Sequence, residues 1–377
     1  MPGMKPEYRA VPIGRGTSAP VPVHDPESRI ADSKMPMLVQ ALDPAYMTRA
    51  LREQVEASGR NPFAGTAWQV AAIYVRRHKP GRRCLIEYEL TDPEKGGRFS
   101  VLGKIRARGL DRRSHAVQRH LWENGFDGSC ADGVSVPEPL GLLPHLSMWL
   151  QKKVPARPVI EGLHGENGPA LAGRIAGALH KLHRLGPLSE RVHGMKDELR
   201  ILETQLTAVT WLHPAWKTRL DELLAACMRL GRSLPYCPPC PSQRDCYHDN
   251  ILFDGDRLFL VDLDLYCQGD PGLDPGNCLA HLIDYGLRSQ GESGRLGGIA
   301  QALAARFGAL TGHVHEQRVA VYTTLSLARL IAVSTRIPGR EQWTGRLMDL
   351  CELRMVNSNC KCTGEGLVKK LSGSLVV

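Results

Sequence analysis

Over residues 1–33 the apolar positions show no period, and Pro2, Pro6, Pro12, Pro20, Pro22 and Pro26 are scattered among charges. That composition buries little apolar surface, so a flexible arm is expected. From Met35 the spacing of Met37, Leu38, Leu42, Met47, Leu51 and Val55 is helical, and Asp43-Pro44 divides it into two short helices. The period then shortens to that of strands over residues 68–75, 84–90 and 99–105, separated by the turn His78-Lys79-Pro80-Gly81 and the polar stretch 91–97. Three hairpin-linked strands imply an antiparallel sheet. A helix near residues 114–123 follows, then a strand in Met148-Trp149-Leu150-Gln151-Lys152-Lys153-Val154. Beyond it the helical period dominates, over residues 169–185, 199–212, 216–230, 277–287, 296–307 and 319–333. One interruption has strand character: Ile251-Leu252-Phe253, the turn Asp254-Gly255-Asp256, then Leu258-Phe259-Leu260-Val261. From about Met355 the period fades among Gly, Ser and Lys, which reads as a peripheral tail.

The chemistry-bearing residues gather around that interruption. Gln243-Arg244-Asp245-Cys246-Tyr247-His248-Asp249-Asn250 precedes it, and Asp262-Leu263-Asp264 closes it. An Asp beside an acceptor hydroxyl orients it and takes its proton, while a carboxamide and a second carboxylate hold Mg²⁺ against nucleotide phosphates. Asp245 fits the first role, Asn250 and Asp262 the second, and Asp264 is either a further ligand or a supporting acid. Local turn capping by Asp and Asn explains one such pair. It does not explain loop, strand, turn, strand and terminal acid in that order.

At these residues the chain resembles the aminoglycoside phosphotransferase and choline kinase superfamily, whose catalytic loop reads His-x-Asp-x-x-x-x-Asn and whose metal loop reads apolar-Asp-apolar-Asp/Glu. The resemblance continues through Gly269-Asp270-Pro271-Gly272-Leu273-Asp274-Pro275-Gly276-Asn277. It implies an α+β, bilobal protein-kinase-like fold, with a small N-terminal antiparallel sheet lobe and a larger, mostly helical C-terminal lobe. It also implies that Lys104, in Val101-Leu102-Gly103-Lys104-Ile105, is the phosphate-pairing lysine, and that Gln151 and Val154 lie in a hinge that meets the adenine edge. Asp274 would support the catalytic loop, and Asp270 would be a turn residue. Three positions depart from the pattern. Gln243 stands where the family has His, Tyr247 where His is more usual, and the helix after Lys104 holds a single acid, Glu123, at its end rather than near Ala116 or Gln118.

The net charge of +9 raises the question of nucleic acid. Its basic residues fall in short sets, Arg76-Arg77-His78-Lys79 with Arg82-Arg83, residues 106–113, and Lys152-Lys153, without the aromatic interleaving of a nucleic-acid surface. No nucleic-acid partner is expected. No run approaches the eighteen or so apolar residues of a membrane span, and the N-terminus lacks a signal-peptide apolar stretch, so a cytoplasmic protein is expected. Eleven cysteines are an odd number and read as reduced thiols. Cys237-Pro238-Pro239-Cys240 has metal-ligand spacing, but Cys360-Lys361-Cys362 does not repeat it, and the pair His180 and His183 has no evident third ligand.

Together these features predict a flexible arm (1–33), a nucleotide-binding lobe (34–150), a catalytic and substrate lobe (151–354) and a tail (355–377). The expected activity is transfer of a γ-phosphoryl group from ATP or GTP, with Mg²⁺, to a hydroxyl of a small molecule. The alternative is a kinase-like nucleotide-binding or scaffold protein with little transfer activity, which the departure at Gln243 keeps open. The acceptor and the oligomeric state are not fixed by the sequence.

Overall fold

The computed structural model describes residues 21–25, 31–57, 68–93, 96–289 and 293–359. The chain divides into two compact units, residues 1–128 with 136–155, and residues 129–135 with 156–377. In chain order the first contains β1 (Val23–His24), α1 (Leu38–Ala41), α2 (Pro44–Ala57), β2 (Gln69–Lys79), β3 (Arg83–Thr91), β4 (Arg98–Arg106) and α3 (Arg112–Glu123). The two-residue strand β5 (Val134–Ser135) belongs to the second unit, and β6 (Pro139–Leu143) and β7 (Met148–Lys152) return to the first.

These strands form one sheet in the order β1-β2-β3-β4-β7-β6. Every pairing is antiparallel except that of β1 with β2. Alternation sets the two faces. Ile86, Tyr88, Val101, Ile105, Met148 and Leu150 join Leu38, Met47 and Leu51 of the two helices in one core. Gly103 lies on that core face, where a Cβ would meet the Met148 sulfur at 2.6 Å and the Tyr88 ring at 3.1 Å, so β4 and β7 come together only because this position has no side chain. The intervening residues Glu87, Leu102, Lys104, Trp149 and Gln151 therefore share the opposite face. Asp43 accepts the Tyr46 N–H at 2.9 Å, which starts α2 behind Pro44 and gives the two short helices that the Asp43-Pro44 break predicts.

The stretch expected to be a flexible arm contributes structure where it is described. Val23 and His24 pair with Ile73 and Tyr74, and the His24 ring stacks on Tyr74 at 4.5 Å. Asp32 accepts from His78 at 2.9 Å and from the Gly81 N–H at 2.7 Å. Edge pairing uses backbone groups, so a composition too polar to build a core does not prevent it.

The second unit is mostly helical. After β8 (Arg157–Pro158) come α4 (Val159–Leu163), α5 (Gly168–Leu185), β9 (Val192–His193), α6 (Met195–Leu212) and α7 (Lys217–Arg232). Then follow β10 (Cys240–Ser242), β11 (Ile251–Phe253), β12 (Leu258–Leu260), β13 (Cys267–Gly269), α8 (Leu273–Arg288), α9 (Ser293–Thr311), α10 (Glu316–Ser334) and α11 (Glu341–Asn359). Two small sheets, β10-β13-β9 and β5-β12-β11-β8, carry the loops between the helices. Leu206 of α6, Leu220 of α7, Leu325 of α10 and Met348 of α11 meet in a core of their own. Helices α8 and α10 pack closely at Gly276, where a Cβ would stand 2.6 Å from that of Tyr322. Helix α11 continues past Met355, the expected start of the tail, because Leu347, Met348, Cys351 and Met355 remain on one buried face.

Candidate active site

In the second unit the candidate catalytic loop leaves β10 and is fastened from several sides. Asp274, in the first turn of α8 and fully buried, accepts the Gln243 N–H at 2.8 Å and the Arg244 N–H at 2.7 Å. These bonds hold Arg244 in a left-handed conformation, φ 71°, that a non-glycine residue adopts only when its surroundings impose it. His183 of α5 places Nε2 3.3 Å from the same carboxylate. Burial opposes charge on this imidazole, but its hydrogen bonds to Asp274 and Cys240 outweigh burial and raise its pKa to about 10. Gln243 donates from Nε2 to the Val261 carbonyl at 2.7 Å, which joins the loop to the end of β12. The carboxamide thus serves as a backbone clamp at the family's His position.

Asp245, Asn250 and Asp262 come together here. Asn250 donates to the Asp245 carbonyl at 2.8 Å, and its own carbonyl accepts the Val261 N–H at 3.0 Å. Asp262 follows directly, again left-handed at φ 58°, ψ 60°, and leads into the 3-10 turn Leu263–Leu265. Burial raises the pKa of Asp245; the Arg329 cation opposes this, and the nearby Asp262 charge adds to it. Asp264 sits inside the 3-10 turn, and its backbone carbonyl accepts from Arg191 at 3.2 Å. Asp270 is a turn residue that accepts the Gly272 N–H at 2.9 Å and pairs with Arg318.

Two contributors were not singled out from the sequence. Arg329 of α10 donates to the Asn277 side chain at 2.6 Å, and Asn277, wholly buried, donates to the Cys246 carbonyl at 3.0 Å. The residue after Asp245 is thereby tied to a distant helix. Beside it lies a cluster of rings: Tyr247 stacks on His281 at 4.9 Å, and His248 meets Tyr285 edge-on at 5.3 Å. Burial, with the Arg329 charge, lowers the His281 pKa to about 3 and keeps this ring neutral.

In the first unit Lys104 of β4 stands directly across from Trp149 of β7, its Nζ 4.7 Å from the ring centre. Trp149 is buried, and His115 of α3 packs against it edge-on at 6.1 Å. The buried residues of α3 are Ser114, His115, Val117, Gln118 and Leu121, so its buried face carries no acid. Gln118, where an acid would be placed, donates to the Pro137 carbonyl at 2.7 Å. Two carboxylates of β3 lie on the Lys104 face of the sheet: Glu87, which binds Arg76 at 2.7 Å and Lys153 at 2.9 Å, and Glu89, which pairs with Arg98. Gln151 is buried, with its Oε1 lacking a hydrogen-bond partner, and Val154 lies half-buried past the end of β7.

Among the described residues no three His, Cys, Asp or Glu side chains converge as a metal site. The set at the loop is instead two carboxylates and a carboxamide. The Asn250 amide nitrogen bonds to the Asp245 carbonyl, which leaves its oxygen for a cation, and Asp245 and Asp262 repel one another. Hard oxygen donors around mutually repelling acids fit Mg²⁺. None of the nine described cysteines is in a disulfide, and Cys360 and Cys362 lie outside the described residues. No helix among the described residues is long and apolar enough to cross a membrane.

The profile of the phosphotransferase enzyme family matches residues 88–308, more than half of the chain and a span that contains both Lys104 and Asp274. The chain belongs to this phosphotransferase family. No curated protein matches it in sequence. Solved structures share its fold at low identity. A putative aminoglycoside phosphotransferase from Ralstonia eutropha JMP134 has 14% identity and TM-score 0.54, covering 84% of this chain and 98% of its own. A choline kinase from Cryptosporidium parvum Iowa II has 10% identity and TM-score 0.53, covering 89% of this chain and 100% of its own. A thermostable mutant of an aminoglycoside phosphotransferase, solved with ADP and hygromycin B, has 11% identity and TM-score 0.52, covering 79% and 96%. The phosphotransferase is therefore an α+β protein of the protein-kinase-like fold.

Proposed function

We propose that this phosphotransferase moves the γ-phosphoryl group of ATP or GTP to a hydroxyl of a small molecule. The observation that supports it most is the convergence of Asp245, Asn250 and Asp262 on a loop whose backbone is held by Asp274, Gln243 and Asn277. Phosphoryl transfer depends mostly on positioning and charge neutralisation, and a fixed backbone supplies the positioning. Asp245 orients the acceptor hydroxyl and takes its proton. Asn250 and Asp262 offer oxygens for Mg²⁺, with Asp264 beside them. On the first unit Lys104 pairs with phosphate oxygens, while Gln151 and Val154 border the base. Bound Mg²⁺ and nucleotide would supply the phosphoryl group and neutralise charge on its oxygens.

A nucleotide-consumption screen across sugars, amino alcohols and natural-product alcohols tests this reading. Asp245→Asn should lower turnover by about 10²–10⁴-fold, the range of a lost general base, while Mg²⁺–nucleotide affinity measured by calorimetry stays unchanged. Absence of nucleotide binding to the wild-type protein would remove the proposal. The absence of an acid on the buried face of α3 favours a second reading, nucleotide binding without efficient transfer. Binding without turnover on any acceptor would select it.

A further inference from the structure

In the second unit the ring cluster beside Asp245 is bordered by arginines that the proposed chemistry leaves unused. Tyr247 stacks on His281, His248 meets Tyr285, and the Arg288 guanidinium lies over the Tyr285 ring at 5.3 Å. Arg288 also holds Asp284, one turn back on α8, at 3.0 Å. Arg340, the residue before α11, is close enough to feel this group: burial and then repulsion from Arg288 lower its pKa, and the Asp284 charge offsets this only in part. The charges of Arg329 and Arg244 act on Asp245 itself. Among the described residues Arg244, Arg329 and Arg340 form no ion pair with a carboxylate; Arg329 bonds to a carboxamide, and the Arg244 Nε is buried without a hydrogen-bond partner. The neighbouring acids do not balance these cations. Asp284 is taken by Arg288, Glu198 is bound to the buried His193 at 2.5 Å, and Asp249 is exposed, 3.7 Å from His248. Nor do the rings supply a site for a cation. His281 is uncharged, and although a ring face attracts an ammonium group, Arg288 already occupies Tyr285 in that way.

We infer that the acceptor is an anionic alcohol, whose carboxylate or phosphate group is held by Arg340 and Arg288 while its hydroxyl lies at Asp245. The inference rests on the proposed phosphoryl transfer and names its acceptor class. The hydroxyl oxygen gains the γ-phosphoryl group, its proton passes to Asp245, and the nucleoside diphosphate leaves. Arginine suits the other end of such a molecule because its planar fork bonds two oxygens of a carboxylate or a phosphate at once. The rings join the two ends, from Tyr247, two residues after Asp245, through His248 to Tyr285 and Arg288. Tyr247, Tyr285, Arg288 and Arg340 are all half-buried and so open to a ligand.

The test titrates the full-length protein, with and without Mg²⁺–ADP, with two charge-matched sets of alcohols in a calorimeter. One set is glycerate and glycerol phosphate beside glycerol and serinol; the other, on a flat frame, is hydroxymethylbenzoate and hydroxymethylphenyl phosphate beside benzyl alcohol and aminomethylbenzyl alcohol. In at least one set the anionic members should bind about tenfold or more tightly than the neutral and ammonium-bearing ones, and the carboxylate and phosphate arms show which anion fits. Arg340→Gln should remove that advantage and Arg340→Lys restore part of it, with Mg²⁺–nucleotide affinity as in the wild type. Arg288→Gln repeats the loss at the second cation. In turnover, Arg340→Gln should raise the Michaelis constant of the anionic acceptor by a similar factor and leave the maximal rate nearly unchanged. No anion preference in either set, or a preference that survives Arg340→Gln, overturns the inference. Turnover confined to neutral or ammonium-bearing alcohols overturns it too while leaving the proposed activity intact. Because binding needs no phosphoryl transfer, an anion preference lost in Arg340→Gln supports the site even in a protein that consumes no nucleotide, a result that counts against the proposed activity alone.

Discussion

The two units hold their candidate functional side chains by different means. In the second, Asp274, Gln243, Asn250 and Asn277 all bond to the backbone of the candidate catalytic loop or its flanks, so the loop's path is over-determined. In the first, Lys104 rests on the face of a buried Trp149 and no carboxylate from α3 reaches toward it. Hydrogen bonds to backbone groups fix position and direction together, whereas a cation over a ring is held mainly in distance, with about 0.5–2 kcal/mol. The comparison also shows what glutamine does at position 243. Its carboxamide donates to the Val261 carbonyl and so ties the loop to the end of β12.

The largest effect that can break this comparison lies at Asp274. Its replacement by Ala leaves two buried N–H groups and the His183 cation without their acceptor, so a loss of about 3–5 kcal/mol in denaturant unfolding is expected. A loss below about 1 kcal/mol would mean that the loop is held by something else. The first unit should respond in binding rather than in stability. Lys104→Ala is expected to weaken Mg²⁺–nucleotide affinity by about 10–100-fold, the value of a charge-assisted phosphate contact, with little change in unfolding. Unaltered affinity would remove Lys104 from the site.

Arg329 sharpens the comparison at a smaller scale. Arg329→Gln interrupts the line from α10 through Asn277 to the Cys246 carbonyl and leaves a wholly buried carboxamide oxygen unpaired, at about 1–3 kcal/mol. About a tenfold fall in turnover with little change in the Michaelis constant for nucleotide is expected, with partial recovery in Arg329→Lys. A change confined to the Michaelis constant would show that Arg329 serves binding instead of loop position.

How much of this was readable in advance follows from the range of each interaction. The loop residues Asp245, Asn250 and Asp262 lie close together in sequence and were legible as a set, as was the alternation that placed Lys104 on a strand. Asp274 came from the family motif. Arg329 did not, because its partners belong to the distant α8 and the loop; the available signal was a single charged residue in the run Leu325-Ser326-Leu327-Ala328-Arg329-Leu330-Ile331. The Trp149 partner of Lys104 depends on the register between β4 and β7, which no local pattern encodes. The pairing of β1 was missed because backbone bonds leave no compositional trace.

The prediction that resolves the second unit's scaffold most finely is at His183, and it is read from the pH dependence of stability. Its folded-state pKa is raised to about 10, while an unfolded His titrates near its ordinary value of about 6.5. Protonation therefore favours the folded state: the contribution is complete below about pH 6.5 and is lost as pH rises toward 10. His183→Gln keeps an N–H for Asp274 without a titrating charge, so it should lose the protonation-linked stability that is still nearly complete at pH 7, and with it the decline between pH 7 and 10. Unfolding curves of both proteins across that window decide the point. Parallel declines would mean that Asp274 holds the loop without help from the imidazolium, and that the over-determination of the loop rests on its backbone bonds alone.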